Sequence, residues 1–167
     1  MLEKAVSMGL PMSRIRYIRN AARAFILHED KLLTLKMQDG SRVFYILPGG
    51  GQLPGERLQD TVKRECLEEV NLRVKVGNVA YMREYIGKNH DFNPRHKGFH
   101  QVETVFFCNP ENLNELQPGG ETDNLQVGIV WIPIEDLDKY DLYPRILKGF
   151  FTEDGLDIPK IYLGDVN

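Results

Sequence analysis

Four ionisable side chains near the middle of the chain could do chemistry together: Arg64, Glu65, Glu68 and Glu69. On a helix, their spacings of one, three and four residues crowd them onto one side. Three carboxylates that close repel one another and weaken an ordinary helix. A divalent cation removes the repulsion, and hard oxygen ligands suit magnesium or manganese. Upstream, Glu56 sits one turn before Asp60 and two before Arg64, so Glu56, Asp60, Arg64 and Glu68 form a ladder of i,i+4 neighbours. An arginine in such a ladder can fork between carboxylates and hold them in place. The plain alternative is a solvated acidic helix laced by salt bridges, which is what most charge runs are. That alternative accounts for Arg64 and Glu68 but leaves a glycine-rich turn upstream unexplained.

The elements needed to position these groups are written into the same stretch. Leu58, Val62 and Cys66 recur every four residues and give a helix, predicted over residues 57–70, an apolar stripe to bury. Before it, residues 43–47 read as a short buried strand that delivers Gly49, Gly50 and Gly51. Without Cβ atoms the backbone there can bend sharply, and its carbonyls can approach a metal or its amides a phosphate.

Around this centre the chain reads as strands and loops. Residues 1–13 carry little pattern and read as a variable leader. Residues 14–27 and 32–37 read as two strands joined by a turn into a hairpin. Residues 72–85 alternate as a strand, with Gly77-Asn78 as a turn or bulge. Residues 100–108 and 125–132 are further strands, separated by polar loops at 86–99 and 109–124. Pro133 opens a short helix, residues 143–151 form a last one, and 161–163 can pair as an edge strand in the tail 152–167. No internal repeat or second domain is visible, so residues 1–167 read as one domain. The order gives an α+β fold: a mixed sheet covered by helices on both faces.

The chain has 167 residues, 42% hydrophobic and 27% charged, which suits one globular domain with a real core. A net charge of −3 argues against a surface that coats nucleic acid. Nucleotides stay in reach, because metal can mediate contact with phosphate. Cys66 and Cys108 suggest no disulfide framework. Each lies among apolar residues and reads as a reduced core residue, which fits a cytoplasmic protein. The N-terminal stretch has no long apolar run and reads as neither a secretory signal nor a membrane span.

Gly50, Glu56, Arg64, Glu65, Cys66, Glu68, Glu69, Asn71 and Leu72 carry the spacing of a known signature. It runs Gly, five residues, Glu, seven residues, Arg-Glu, an apolar residue, any residue, Glu-Glu, any residue, Gly, apolar. The chain resembles the Nudix hydrolases at all of these places but one: Asn71 stands where the family has Gly. That slot follows the helix and calls for left-handed backbone, for which Asn is the best choice after Gly. Cys66 is a less usual occupant of its apolar slot, but a free Cys behaves as a small hydrophobe. The signature covers 23 residues, and the order of flanking elements extends the likeness over most of the chain.

The resemblance implies a Nudix-type α/β/α sandwich around a mixed sheet. It implies hydrolysis of a nucleoside diphosphate linked to another group, with water attacking a phosphorus of the pyrophosphate. By family position Glu65, Glu68 and Glu69 are metal ligands, a backbone carbonyl near Gly49 adds another, and magnesium or manganese is the cation. Arg64 and Glu56 orient these ligands from behind. Glu68 or Glu69 can accept the proton of water, and the sequence does not choose between them. Family members often add an acid a few residues before a Trp such as Trp131. Here Gln126 is nearest, Glu121 and Asp123 are the closest acids, and Glu103 is a third option; each also reads as a surface carboxylate. The implied partner is a small-molecule nucleotide, without a membrane or a stable nucleic-acid partner, and a homodimer is compatible with the family.

Arg23 and Tyr45 are placed to line a substrate pocket, with Phe99. His90, His96 and His100 fall close together without Cys partners, while His28 stands apart; the spacing matches no strong zinc pattern. The stretch reads instead as a substrate loop in which Arg95 and Lys97 meet phosphate, against the ordinary reading of a solvated connection. Two other functions compete with the enzyme: a nucleotide-sensing module that does not cleave, and an interaction scaffold. The intact Arg-Glu and Glu-Glu pairs favour the enzyme.

Overall fold

A computed structural model describes residues 17–90, 94–120 and 124–167, with the backbone alone at Pro94 and Arg95. The leader expected at 1–13 lies outside them. In chain order the strands are β1 (Arg19–Phe25), β2 (Leu27–His28), β3 (Lys31–Asp39), β4 (Arg42–Ile46) and β5 (Gly49–Gly51). The helix α1 (Leu58–Val70) follows, and then β6 (Val74–Ile86), β7 (His100–Pro110), β8 (Gln126–Pro133) and β9 (Leu142–Tyr143). Last come β10 (Phe151–Thr152), β11 (Gly155–Leu156) and β12 (Tyr162–Asp165).

Two five-stranded sheets form the body. The first is mixed and runs β12-β6-β7-β1-β5, with β1 parallel to β7 and antiparallel to β5. The second runs β2-β3-β4-β9, and β8 also pairs with β3. β1 explains its own apolar sequence: alternate residues face two cores, so both sides must be buried. Ala22 and Ala24 join Val62, Cys66 and Val70 of α1 in one cluster. Phe25 joins Tyr81, Val105, Leu147 and Phe150 in the other.

α1 begins within one residue of the predicted start. It ends at Asn71, whose φ of 55° and ψ of 32° are the left-handed values the family glycine slot requires. The Leu72 N–H reaches back to the Cys66 carbonyl at 3.1 Å and closes that ending. The Gly77-Asn78 irregularity is a register shift of β6 against β7. The tail pairs at the sheet edge as expected, with β12 parallel to β6.

Two expectations need correction. The hairpin is short: only Leu27 and His28 pair back on β3, through a turn with positive φ at Glu29 and Asp30. β1 itself leaves for the other sheet, because its two-sided burial needs β5 and β7 as neighbours. The second correction concerns the late helices. Residues 134–139 and 145–150 are 3-10 turns, and α1 is the one α-helix of seven residues or more among the described residues. The sheets are flanked by α1 at one core and by these short 3-10 helices at the other.

Candidate active site

Strand β5 lies at the edge of the first sheet and presents bare backbone to α1. It pairs with β1 as Arg23↔Gly49, Ala22↔Gly50 and Ala21↔Gly51. Gly49 has φ of 135°, and a Cβ there would meet the Ala22 carbonyl at 2.3 Å. A Cβ on Gly50 would lie 2.6 Å from a carboxylate oxygen of Glu65. Only glycine lets the helix bring its acids this close to the strand.

Arg64 is the hub of the acidic cluster. Its Nε donates to Glu56 Oε1 at 2.6 Å and its Nη2 to Glu56 Oε2 at 3.0 Å. Its Nη1 donates to Glu65 Oε1 at 2.7 Å and to Glu68 Oε2 at 3.0 Å. Nη2 also meets the Gly51 carbonyl at 3.0 Å, tying the helix to the glycine strand. Glu56 is further held by the Thr61 hydroxyl at 2.8 Å and the Leu53 N–H at 3.0 Å. Arg64 above all, with Leu53 and Thr61, lowers the Glu56 pKa to about 2, while Arg64 itself is raised by its carboxylate partners. Asp60 leaves the predicted ladder: its oxygens take Arg57 at 2.7 and 3.0 Å instead. Glu69 is buried, and its Oε2 accepts the Gly49 N–H at 2.7 Å.

A second arginine–carboxylate set lies inside the first sheet. Arg23 Nε donates to Glu103 Oε2 at 2.6 Å, and its Nη1 donates to the carbonyls of Leu47 at 2.7 Å and Gly49 at 2.9 Å. Arg83 donates from Nε to Glu103 Oε1 at 2.7 Å and from Nη1 to the Val166 carbonyl at 2.7 Å. Gln101 adds a third donor to Glu103 at 3.0 Å. Burial alone would raise the Glu103 pKa; Arg83 and Arg23 outweigh it and bring it down to about 2. With both oxygens committed, Glu103 is not free to serve as an outer ligand. Arg23 does reach the glycine turn, but through backbone carbonyls.

The remaining expected residues are more scattered. Tyr45 lies on the second sheet, edge-on to Tyr140 with ring centroids 5.0 Å apart. Lys97 is exposed in a 3-10 turn at Pro94–Gly98. The side chain of Arg95, and all of Glu121 and Asp123, lie outside the described residues. Gln126 donates to the Glu69 carbonyl at 2.9 Å, so the strand before Trp131 touches the end of α1. His90 and His96 both pack on the Tyr85 ring; His90 also meets Asp165 at 2.7 Å, His96 the Tyr85 hydroxyl at 3.2 Å, and His100 meets Glu84 at 2.8 Å. Sequence reasoning missed Arg83, Gln101 and Thr61, which act only through partners brought in by β pairing or by the helix entry.

Chemically, this donor set suits a hard cation: carboxylates and a nearby carbonyl, all oxygen. Among the described residues, however, no three acidic, histidine or cysteine side chains converge as they stand into a group that could hold an ion. The reason is visible in the contacts. Arg64 draws Glu65 and Glu68 to its own nitrogens, and Glu69 is bonded to Gly49. Each acid uses one oxygen in these contacts: Glu65 Oε1, Glu68 Oε2 and Glu69 Oε2.

Comparison with known proteins shows the family. The family model described as NUDIX domain matches residues 18–151. A nucleoside triphosphatase, NudI, from Salmonella agona is 27% identical over 122 residues, covering 70% of this chain and 83% of the relative. A NUDIX hydrolase from Nitrosomonas europaea superimposes with a TM-score of 0.66 at 19% identity, covering 91% of this chain and 82% of that one. An ADP-ribose pyrophosphatase from Streptococcus suis gives 0.54 at 27% identity, with 76% and 81% covered. No described helix is long and apolar enough to cross a membrane. With the signature geometry on α1 and β5 and the match along most of its length, the chain belongs to the NUDIX family and is a Nudix-type pyrophosphohydrolase.

Proposed function

We propose that the chain cleaves the pyrophosphate linkage of a nucleoside diphosphate joined to another group, and that it needs magnesium or manganese to do so. One observation carries the reading: Arg64 gathers Glu56, Glu65 and Glu68 against the Gly51 carbonyl, while Glu69 bonds the Gly49 N–H next to it. Glu65, Glu68, Glu69 and the Gly49 carbonyl are the groups that would hold the cation. Once bound, a divalent cation neutralises phosphate charge and makes water a better nucleophile. Glu56 fixes Arg64 from behind, and Arg64 keeps the acids grouped before loading. Glu68 or Glu69 takes the proton of the attacking water. Arg95 and Lys97 meet the substrate's phosphates, and Arg23 and Tyr45 act from the strands beneath.

The names of two relatives support a nucleoside triphosphate or a compound such as ADP-ribose as substrate. Two buried free thiols, Cys66 and Cys108, support a reducing, cytoplasmic setting. The reading takes the chain as one catalytic domain. The test is a screen of nucleoside triphosphates, nucleotide sugars, ADP-ribose and dinucleotides, read as phosphate released after phosphatase coupling. Turnover is expected with added magnesium and not in excess EDTA; undiminished turnover in EDTA overturns the cation requirement.

A further inference from the structure

The tail 152–167 lies beyond the residues that the family model matches, and it docks on the first sheet. Leu163 is buried in the second core cluster, and Ile158 and Val166 pack against that cluster. The Met82 N–H donates to the Ile161 carbonyl at 2.6 Å, and the Val166 N–H donates to the Glu84 carbonyl at 3.2 Å. Arg83, already committed to Glu103, gives its Nη1 to the Val166 carbonyl at 2.7 Å, so the tail is tied to the buried charge set. Between these ties the pairing slips. From Tyr162 to Asp165 the tail advances three residues while β6 advances two, from Met82 to Glu84. Gly164, at φ of 78°, takes up the extra residue in a bulge.

The bulge delivers Asp165 to the end of β6, where the 87–99 loop begins. Its Oδ1 accepts the Ile86 N–H at 2.9 Å and faces His90 Nε2 at 2.7 Å, and its Oδ2 accepts from Asn89 Nδ2 at 2.6 Å. Burial alone would raise the Asp165 pKa; Asn89, the Ile86 N–H and His90 outweigh it and bring it below its ordinary value. His90, held this way, stacks on the Tyr85 ring with centroids 5.3 Å apart and planes 13° apart. His96 and Phe99, from the far end of the loop, meet the same ring at 5.8 and 6.0 Å. Tyr162 makes a second tie. Its hydroxyl donates to Glu84 Oε1 at 2.6 Å, and Glu84 Oε2 meets His100, the first residue after the loop, at 2.8 Å. The tail therefore grips both ends of the loop. To cover the β6 edge it would need only Leu163 and the backbone bonds; a carboxylate facing Asn89 and His90 adds nothing to that cover.

We propose that Asp165 is a positioning residue: by fixing the ends of the 87–99 loop it sets how tightly the substrate's phosphates are held, and not how fast the anhydride is cleaved. The proposal rests on the hydrolase reading above, which gives this loop Arg95 and Lys97 as phosphate contacts, and adds what holds the loop in place. A loop ordered in advance loses less entropy when it meets a ligand, so binding tightens without a new contact to the ligand. Asp165 suits that task. Its side chain is 23% exposed and that of His90 18%, so the pair is largely shielded from water. Its three donors all come from residues 86–90, so one side chain fixes the course of the whole loop entry.

The test compares the wild type with Asp165→Ala and Asp165→Asn by amide hydrogen exchange and by kinetics on the best substrate of the screen. In Asp165→Ala, exchange over residues 86–90 and 96–100 is expected to quicken roughly tenfold, while β12 keeps its protection through Ile161 and Val166. KM is expected to rise several-fold, with kcat and the magnesium concentration at half-maximal rate within about twofold of the wild type. Asp165→Asn keeps an acceptor oxygen and should fall between the two. Loop exchange that stays at the wild-type rate in Asp165→Ala overturns the proposal. So does an unchanged KM beside faster loop exchange, or a kcat that falls as much as KM rises. Should the screen find no turnover, the hydrolase reading falls, and calorimetric titration with ATP and magnesium replaces KM. A several-fold loss of ATP affinity in Asp165→Ala then keeps the positioning role, and equal affinity removes it.

Discussion

Arginine meets carboxylate in two places in this molecule, and the two differ in burial and in what holds them. Around Arg64 the side chains are partly open to solvent, 23% for Arg64 and 30% for Glu68, and the acids come from within eight residues of it. Around Glu103, which is wholly buried, the partners come from separate strands, Arg23 lying 80 residues away and Arg83 lying 20. Ion pairs with more access to water are worth less net energy than fully buried ones. A buried set is different: once one partner is lost, the others are left charged and unsolvated. The first set therefore holds its acids less firmly than the second holds Glu103. The second is suited to holding a shape, and the shape it holds is the Leu47–Gly49 turn, through two carbonyls bonded to Arg23.

The largest expected effect breaks the buried set. Glu103→Gln leaves Arg23 and Arg83 facing a neutral group and should cost ~3–5 kcal/mol of stability. Glu65→Gln, in the Arg64 set where Glu65 is 14% exposed and keeps an acceptor oxygen, should cost less, ~1–3 kcal/mol. Urea denaturation of both variants checks the contrast, and equal midpoints would erase it. Next come Glu68→Gln and Glu69→Gln, which keep shape and remove charge. Each should lower kcat on the order of a hundredfold while the fold stays intact. Wild-type kcat in both variants at saturating magnesium would refute their assignment.

Acid titration sharpens the comparison further. Glu56 and Glu103 both fall from the ordinary glutamate value to about 2 in the folded protein. A depressed carboxylate contributes stability that is complete above its unfolded pKa and is lost as pH falls toward the folded one. The urea midpoint should therefore stay level down to pH 4.5 and drop between there and about pH 2. Glu56→Gln should flatten part of that drop; a wild-type midpoint that holds steady to about pH 2 would contradict both shifts. The smallest effect is expected in the 87–99 loop. Replacing Arg95 and Lys97 together with Ala should raise KM several-fold more than it lowers kcat, with metal affinity unchanged. An unaltered KM for the best substrate returns the loop to a solvated connection.

The signature helix was legible because its information is local. The four-residue apolar stripe, the glycine turn and the acid spacing all lie within 24 residues, from Gly49 to Leu72, and helical geometry alone turns spacing into neighbourhood. Asn71 was legible for the same reason, since a helix ending needs one left-handed residue whatever packs around it. Asp60 was the exception within the stretch: Arg57, three residues before it, competes for it at shorter range than Arg64. The late helices were legible in place but not in type, because Pro133 marks where a helix can start and not which hydrogen-bond pattern it takes. Tertiary pairing alone decided that β1 joins β7 and β5, and so that Arg23, Glu103 and Arg83 share one buried site. It also placed Asp165 against Ile86, Asn89 and His90. Those contacts join residues tens of positions apart, and only β register, which no local period encodes, brings them together.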